Sequence, residues 1–463
     1  MMGRSGKQSF GAALLIVLLA LLSGCGSASA RPSESPSGAA VTAPSNAPAS
    51  PSASPTLASA PSPSASAPAS TEAPASPAAS PAPSPPAASP PVPLTVPEAQ
   101  MATPGLHPVA VAGHTVDLPA GFTISLFASG LHAPRFMAFD TAGNLAVAED
   151  AANRIVLFRA QNGRLQPAAQ PLISGLSDPT SVAFAPGFLY VAAARQVLRY
   201  PYEAGQVGAA QAIIPNLPPA TDHHTRTIVF GPDGSLYLGM GSPCNVCTFS
   251  DPRYAAITRY NAGGSGETLF AHGLRNAVGL AFQPGTGELW ATVNGRDGLG
   301  DNIPWDLLTS IQQGEDFGFP TCYDNRQPDP QFGRPGACAG VALPDVGLQA
   351  HSAPLGLAFY TGSQFPAGYR GDLLVALHGS WNRTVPTGYK LVRVHFSGGH
   401  IVSVTDFATG WRPAAPGRVI QTPFGLGTAG AWGRPVQPVV APDGSVYVSD
   451  DELGAIYRIS YTG

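Results

Sequence analysis

Charge is scarce in this sequence and carries no basic bias. Asp, Glu, Lys and Arg make up only 11% of the 463 residues, with 24 basic side chains against 28 acidic ones. No basic run occurs, which argues against nucleic acid as a partner. Cysteine is equally sparse, at five residues. The Cys244-x-x-Cys247 pair is followed by Thr248, where a c-type haem would need a histidine, and no further ligands stand nearby to complete a zinc site. The apolar run from Phe10 to Leu22 is too short for an ordinary membrane span.

What that run does have is the form of an export signal. Arg4 and Lys7 precede it, and it ends in Leu22-Ser23-Gly24-Cys25, the pattern of a bacterial lipobox. Residues 1–25 are therefore expected to act as a lipoprotein signal peptide, with Cys25 as the lipidated first residue of the exported chain. An uncleaved anchor helix is the alternative, and either places the remainder outside the cytoplasm. Residues 26–104 are almost wholly Ala, Pro and Ser, with few large apolar side chains to offset the entropy of ordering them. They read as a disordered, semi-extended tether. Residues 105–463, rich in Gly, Val, Leu and aromatics, are long enough to build a large core.

One unit recurs six times in that region. An apolar strand, a Gly-containing turn and a second alternating strand appear in "MAFDTAGNLAVAED" (137–150), "SVAFAPGFLYVAAA" (181–194), "TIVFGPDGSLYLGMG" (227–241), "VGLAFQPGTGELWATVNG" (278–295), "LGLAFYTGSQFPAGYRGDLLVALHG" (355–379) and "QPVVAPDGSVYVSDD" (437–451). All but the fourth are followed by a clear third strand. The equivalent positions Phe139, Phe184, Phe230, Phe282, Phe359 and Val440 are spaced by 45, 46, 52, 77 and 81 residues. The first spacings match a propeller blade. We therefore expect an all-β, six-bladed β-propeller, with 114–129 closing the ring against the last blade. Long inserts at 296–353 and 397–436 should gather on the binding face.

The four cysteines beyond Cys25 fall into two near pairs, Cys244 with Cys247 and Cys322 with Cys338, which in an exported protein favours two disulfides. A redox-active Cys244–Cys247 pair is the alternative, although its usual βαβ setting is absent. His223 and His224 are neighbours; on a strand they would point to opposite faces, so at most one could face the axis.

Taken in order, "LPAGFTISLFASGLHAPRFMAF" (118–139), "HHTRTIVFGPDG" (223–234), "GLRNAVGLAF" (273–282), "NGRDGLGDNIPWD" (294–306), "GEDFGFP" (314–320), "HSAPLGLAFY" (351–360), "HGSWNR" (378–383) and "GRPVQPVVAPDGSVYVSDD" (433–451) resemble the soluble quinoprotein glucose and sorbosone dehydrogenases. "HSAPLGLAFY" and "HGSWNR" look more like the sorbosone branch. The resemblance covers the chain from about 118 to 461. It implies pyrroloquinoline quinone (PQQ) and calcium as cofactors and a sugar or sugar aldehyde as substrate. His223 falls at the family's catalytic base, and Arg275, Asn276 and Asn294 at quinone contacts. The carbonyls of Gly295 and Arg296 match those that hold calcium, with Asp301 as a supporting carboxylate. Arg434 matches the first of two cofactor-binding arginines. His351 and Arg383 stand where the glucose branch has a cofactor-lining Thr and a Lys.

Two departures accompany the match. Val436 occupies the place of the second arginine, and Ser242 the place of an Asp that orients the base. The resemblance implies base-assisted hydride transfer to the quinone, giving a lactone or an acid, followed by electron release to an unidentified acceptor. A calcium-dependent propeller hydrolase and a non-catalytic surface binding propeller are the rival readings.

Overall fold

A computed structural model describes residues 94–96, 101–412, 420–422, 425–427 and 430–463. The signal peptide with Cys25, and most of the tether, lie outside the described residues. Strands dominate the rest and form a six-bladed β-propeller.

Each blade is an antiparallel meander. Blade one runs through Pro134–Phe139, Leu145–Glu149, Arg154–Gln161 and Arg164–Ser174, and blade two through Ser181–Ala185, Phe188–Ala193, Gln196–Glu203 and Gln211–Ile214. Blade three contains Arg226–Phe230, Leu236–Met240, Ala256–Tyr260 and Thr268–His272, and blade four Ala277–Phe282, Leu289–Val293, Asp306–Ile311 and Val346–Leu348. Blade five contains Pro354–Phe359, Leu373–Leu377, Lys390–Ser397 and His400–Thr409, and blade six Pro435–Val440, Val446–Asp450 and Ala455–Tyr461. The first strands of successive blades touch one another, and that of blade six touches that of blade one. The ring is closed.

Strand alternation explains why even the second strands are buried throughout. In "LAVAE", Leu145 and Val147 pack with Tyr447 and Ile456 of blade six, while Ala146 and Ala148 pack with Leu189 and Val191 of blade two. Large residues face one neighbour and small ones the other, so twisted sheets stack at close range. Each buried Leu or Val contributes about 1.5–3 kcal/mol.

The stretch 114–129 divides rather than acting as one closing element. Phe122–Ala128 pairs with Ala455–Tyr461 and completes blade six, whereas His114–Leu118 joins the outer edge of blade five through Asp117 and Thr409. Within the span read as tether, Leu94–Val96 pairs in parallel with Val346–Leu348, and Met101 is fully buried against blade-four and blade-five residues. The insert at 296–353 also holds ordered blade structure. It contains the third and fourth strands of blade four, hidden from the sequence pattern by the loop that separates Asp306–Ile311 from its hairpin.

Candidate active site

Antiparallel order sorts the loops by end. The chain enters each blade's first strand, and leaves its second strand, at the same end of the ring. The turn at Pro232-Asp233-Gly234 joins a first to a second strand and lies at the opposite end, where Gly234 takes φ +74° and Asp233 accepts the Ser235 N–H. Its role is structural. The entry loops carrying His223, Arg275, Asn276, His351 and Arg434 share one face with the second-to-third-strand loops carrying Ser242, Asn294–Asp301 and Trp381–Arg383. On this face a cavity of about 500 Å³ is lined by His223, Arg275, Asn276, Asn294, Gly295 and His351. Asp222, Asn245, Asp297, Asp306, Ala353 and Trp381 complete its wall.

His223 and His224 precede the strand Arg226–Phe230 instead of lying on it. They still point apart: His224 is exposed and its Nε2 lies 3.0 Å from Asp150, while His223 reaches the cavity. His223 Nδ1 is 2.7 Å from the Ser242 carbonyl and 3.2 Å from the Ser242 hydroxyl. That hydroxyl spends its own proton on the Cys244 carbonyl, 2.6 Å away. Both contacts therefore require Nδ1 to be the donor, which leaves Nε2 with its lone pair free. Burial pushes the imidazole pKa down to about 3, Arg275 adds to the fall, and the Ser242 carbonyl opposes it. His223 is a neutral base of fixed tautomer. The approach is so close that a Cβ on Gly241 would sit 2.4 Å from Asn276 Oδ1 and 2.6 Å from His223 Cβ.

Arg275 is buried and held from several sides. Nε and Nη2 donate to the carbonyl and Oδ1 of Asn245 at 2.8 and 2.9 Å, Nη1 to the Gly295 carbonyl at 2.6 Å, and Nη2 to Asp297 at 3.1 Å. Asn294 Nδ2 donates to the Pro354 carbonyl at 2.7 Å. Asp306, fully buried, accepts the Gly295 and Ala353 N–H groups, each at 2.8 Å, and burial lifts its pKa to about 6. His351 donates from Nε2 to the Gly300 carbonyl at 2.9 Å. Asn276 Oδ1 is buried without a protein partner.

The insert after Ile311 climbs the edge of blade three, where His272 bridges to Asp316, and packs behind the cavity loop. Asp324 accepts the Trp305 N–H and Asp329 pairs with Arg296, both at 2.6 Å. Cys322 and Cys338 are bonded and staple this insert, and Cys244 is bonded to Cys247.

The remaining sequence-derived residues stand outside the cavity wall. The Arg296 side chain turns to Asp329, and Asp301 accepts the Thr384 N–H while its carbonyl binds Arg383. Arg434 donates to the carbonyls of His378 and Gly379 at 3.2 and 2.7 Å. Val436 is fully buried in an axial cluster with Phe136, Val278 and Leu355, so the side chain at this position packs the ring. Sequence reasoning assigned nothing to Asn245, Asp306, His378, Asp451 or Arg135. His378 and Arg135 both bind Asp451, at 2.7 and 2.6 Å, beside the backbone that holds Arg434. His378 stands in "HGSWNR" and Asp451 ends "SVYVSDD", motifs already carrying the resemblance.

The sequence profile of the TrAA12-like family matches residues 116–462. The chain belongs to this family. An uncharacterized protein of Borreliella burgdorferi is 29% identical over 75% of the chain and 91% of its own length. The PQQ-dependent pyranose dehydrogenase of Coprinopsis cinerea is 28% identical over 41% of the chain, which spans only 31% of that protein. The PQQ-dependent sugar dehydrogenase of Hypocrea jecorina is 25% identical over 52% of the chain and 69% of its own length. Among solved structures, the holo PQQ domain of the Coprinopsis enzyme superposes with a TM-score of 0.66 at 21% identity, covering 76% of the chain and 98% of that domain. The Coprinopsis and Hypocrea relatives of this TrAA12-like propeller are, by name, PQQ-dependent dehydrogenases, that is, oxidoreductases.

Proposed function

We propose that this TrAA12-like protein oxidises an aldose or a sorbosone-like sugar aldehyde with PQQ and calcium. The observation that carries the reading is the fixed tautomer of His223, a residue that lines the same cavity as Arg275 and Asn276. The relatives' activities and the family membership support it.

The lining suits the two cofactors. A cavity of this size is in the range of small-molecule sites. Arg275 offers a guanidinium at its wall, and the orphaned Asn276 amide oxygen offers a buried polar contact to a polar ligand. Asn245, Asn276, Asn294, Asp222, Asp297, Asp306 and the Gly295 carbonyl make the wall rich in oxygen donors, the set a hard cation prefers. We assign the carbonyls of Gly295 and Arg296 to calcium, with Asp301 a remote support through the Thr384 and Arg383 contacts. Arg434, steered by the His378 and Gly379 carbonyls, and Arg383 are assigned to the acidic groups of the cofactor.

PQQ, when bound, supplies two-electron, hydride-accepting chemistry. The protein's part is proton transfer and electrostatics. His223 Nε2 takes the proton from the hydroxyl on the reducing carbon, a contribution of about 10²- to 10⁴-fold. The aldose leaves as a lactone, and a hydrated sugar aldehyde leaves as an acid. Arg275, fixed by its partners, stabilises negative charge that develops nearby without having to reorient. Turnover requires an external electron acceptor. The lipobox at Leu22–Cys25 and the two disulfides support an exported, lipid-anchored setting.

The test is dye reduction by protein supplied with PQQ and calcium across a panel of aldoses, sorbosone and lactones. Dye reduction with an aldose or sorbosone is the expected result. Hydrolysis of a lactone with no dye reduction would replace the reading with the hydrolase.

A further inference from the structure

Blade three's second-to-third-strand loop contains a four-residue ring, Cys244-Asn245-Val246-Cys247, closed by a disulfide. Its position is unusual because contacts to several site groups pass through it or its neighbours. Just before the ring, the Ser242 carbonyl fixes His223, and the Ser242 hydroxyl is anchored on the Cys244 carbonyl. Inside the ring, Asn245 presents its main-chain and side-chain oxygens to Nε and Nη2 of Arg275. The same Oδ1 accepts the Asp297 N–H at 2.8 Å, and Nδ2 donates to the Asp297 carbonyl at 3.2 Å. One asparagine thus ties Arg275 to the loop that carries Asn294 and Gly295.

A loop of this kind would ordinarily sample many backbone states, and holding three partners at once would cost that freedom. Cross-linking residues 244 and 247 removes most of those states before any ligand arrives, which is how a rigid support presents a preorganised group. We propose that Asn245, held by the Cys244–Cys247 ring, is a positioning residue of the cofactor site, and that reducing this disulfide releases Arg275 and the 294–297 loop. The inference rests on the cofactor reading above for its consequence. Its structural half is independent.

The redox step balances with an external dithiol. Two electrons and two protons cleave the Cys244–Cys247 bond to two thiols, and the dithiol becomes a disulfide. The four-residue ring is partly exposed, whereas Cys322 and Cys338 are buried, so a dithiol meets the first bond before the second.

The experiment treats the full protein with graded dithiothreitol, identifies the freed thiols by alkylation and mass spectrometry, and reads two quantities. Hydrogen exchange at the Asp297 amide is measured without cofactor, and PQQ affinity by absorbance titration. Opening Cys244–Cys247 alone is expected to raise Asp297 exchange and to weaken PQQ binding by roughly tenfold or more, with reoxidation restoring both. Asn245→Ala, with the ring intact, is expected to reproduce both effects. Asn245→Asp keeps the side-chain acceptor for the Asp297 N–H but loses the Nδ2 donor to the Asp297 carbonyl, and is expected to recover the protection in part. Unchanged exchange after reduction, or in Asn245→Ala, would overturn the proposal. If the untreated protein binds no PQQ, the cofactor reading fails by itself, and the exchange data still decide the clamp.

Discussion

The main-chain carbonyl of Ser242, and not its hydroxyl, is the nearer partner of His223, at 2.7 Å against 3.2 Å. A carbonyl can only accept, so it settles which ring nitrogen holds the proton. The side chain at 242 is secondary. Ser242→Ala is expected to keep turnover within about fivefold of the parent, since a neutral hydrogen bond is worth only about 1 kcal/mol. Steady-state dye reduction measures this, and a loss beyond a hundredfold would show the hydroxyl to be the working partner.

His223→Ala is expected to remove turnover by about 10²-fold or more with the circular dichroism of the fold unchanged. His224→Ala, whose ring is exposed and paired with Asp150, is expected to lose much less. Equal losses would contradict the assignment of Nε2 as the base.

Acid should act through the same imidazole. An unfolded histidine protonates near its ordinary pKa of about 6.5, but folded His223 resists until about pH 3. Between these values the unfolded chain binds more protons, so this group's contribution to stability is present above pH 6.5 and is lost as pH falls. Buried His378, pushed down to about 4, acts in the same sense. Asp306 and Asp450, each raised to about 6 by burial, act oppositely, favouring the fold below their ordinary range and losing that effect as pH rises through 6. Comparing urea midpoints of the parent and His223→Gln from pH 4 to 7 isolates the first contribution. The parent's midpoint is expected to rise relative to the variant's as pH increases, and parallel curves would refute it.

The two disulfides should separate in function. Removing Cys322–Cys338 opens a loop with a sequence separation of 16 in the insert behind the cavity, and is expected to cost about 3 kcal/mol in the chain-entropy account. Denaturant unfolding of Cys322→Ser/Cys338→Ser measures that loss. PQQ affinity should stay within about twofold, because the hydrogen bonds that fix Arg275 and His223 run to Asn245, Gly295, Asp297 and Ser242 and involve neither cysteine.

Much of the ring was legible because period-two alternation is local. "SLYLGMG" and "LAVAED" announce their strands whatever surrounds them. Asp306–Ile311 was missed because a site-bearing loop stands between it and its hairpin, and His114–Leu118 was misplaced because pairing across blades leaves no local trace. His223, Arg275, Asn276, Asn294, Gly295 and His351 converge on one cavity, and a resemblance, not periodicity, singled them out. Asn245 was invisible for a different reason. A single asparagine inside Cys-x-x-Cys carries no signal of its own, and its partners Arg275 and Asp297 come from loops 30 and 52 residues away. Val436 stands where the resemblance places an arginine, but its apolar contacts with Phe136, Val278 and Leu355 make it part of the axial packing.

Equilibrium binding tests directly whether this cavity holds PQQ, without assuming a sugar. Purified protein is titrated with PQQ, followed by the cofactor's absorbance, at saturating calcium and again with a chelator. Saturable one-to-one binding is expected, weakening strongly when calcium is removed and again in Arg275→Ala. Absence of saturable PQQ binding at any calcium level would contradict it.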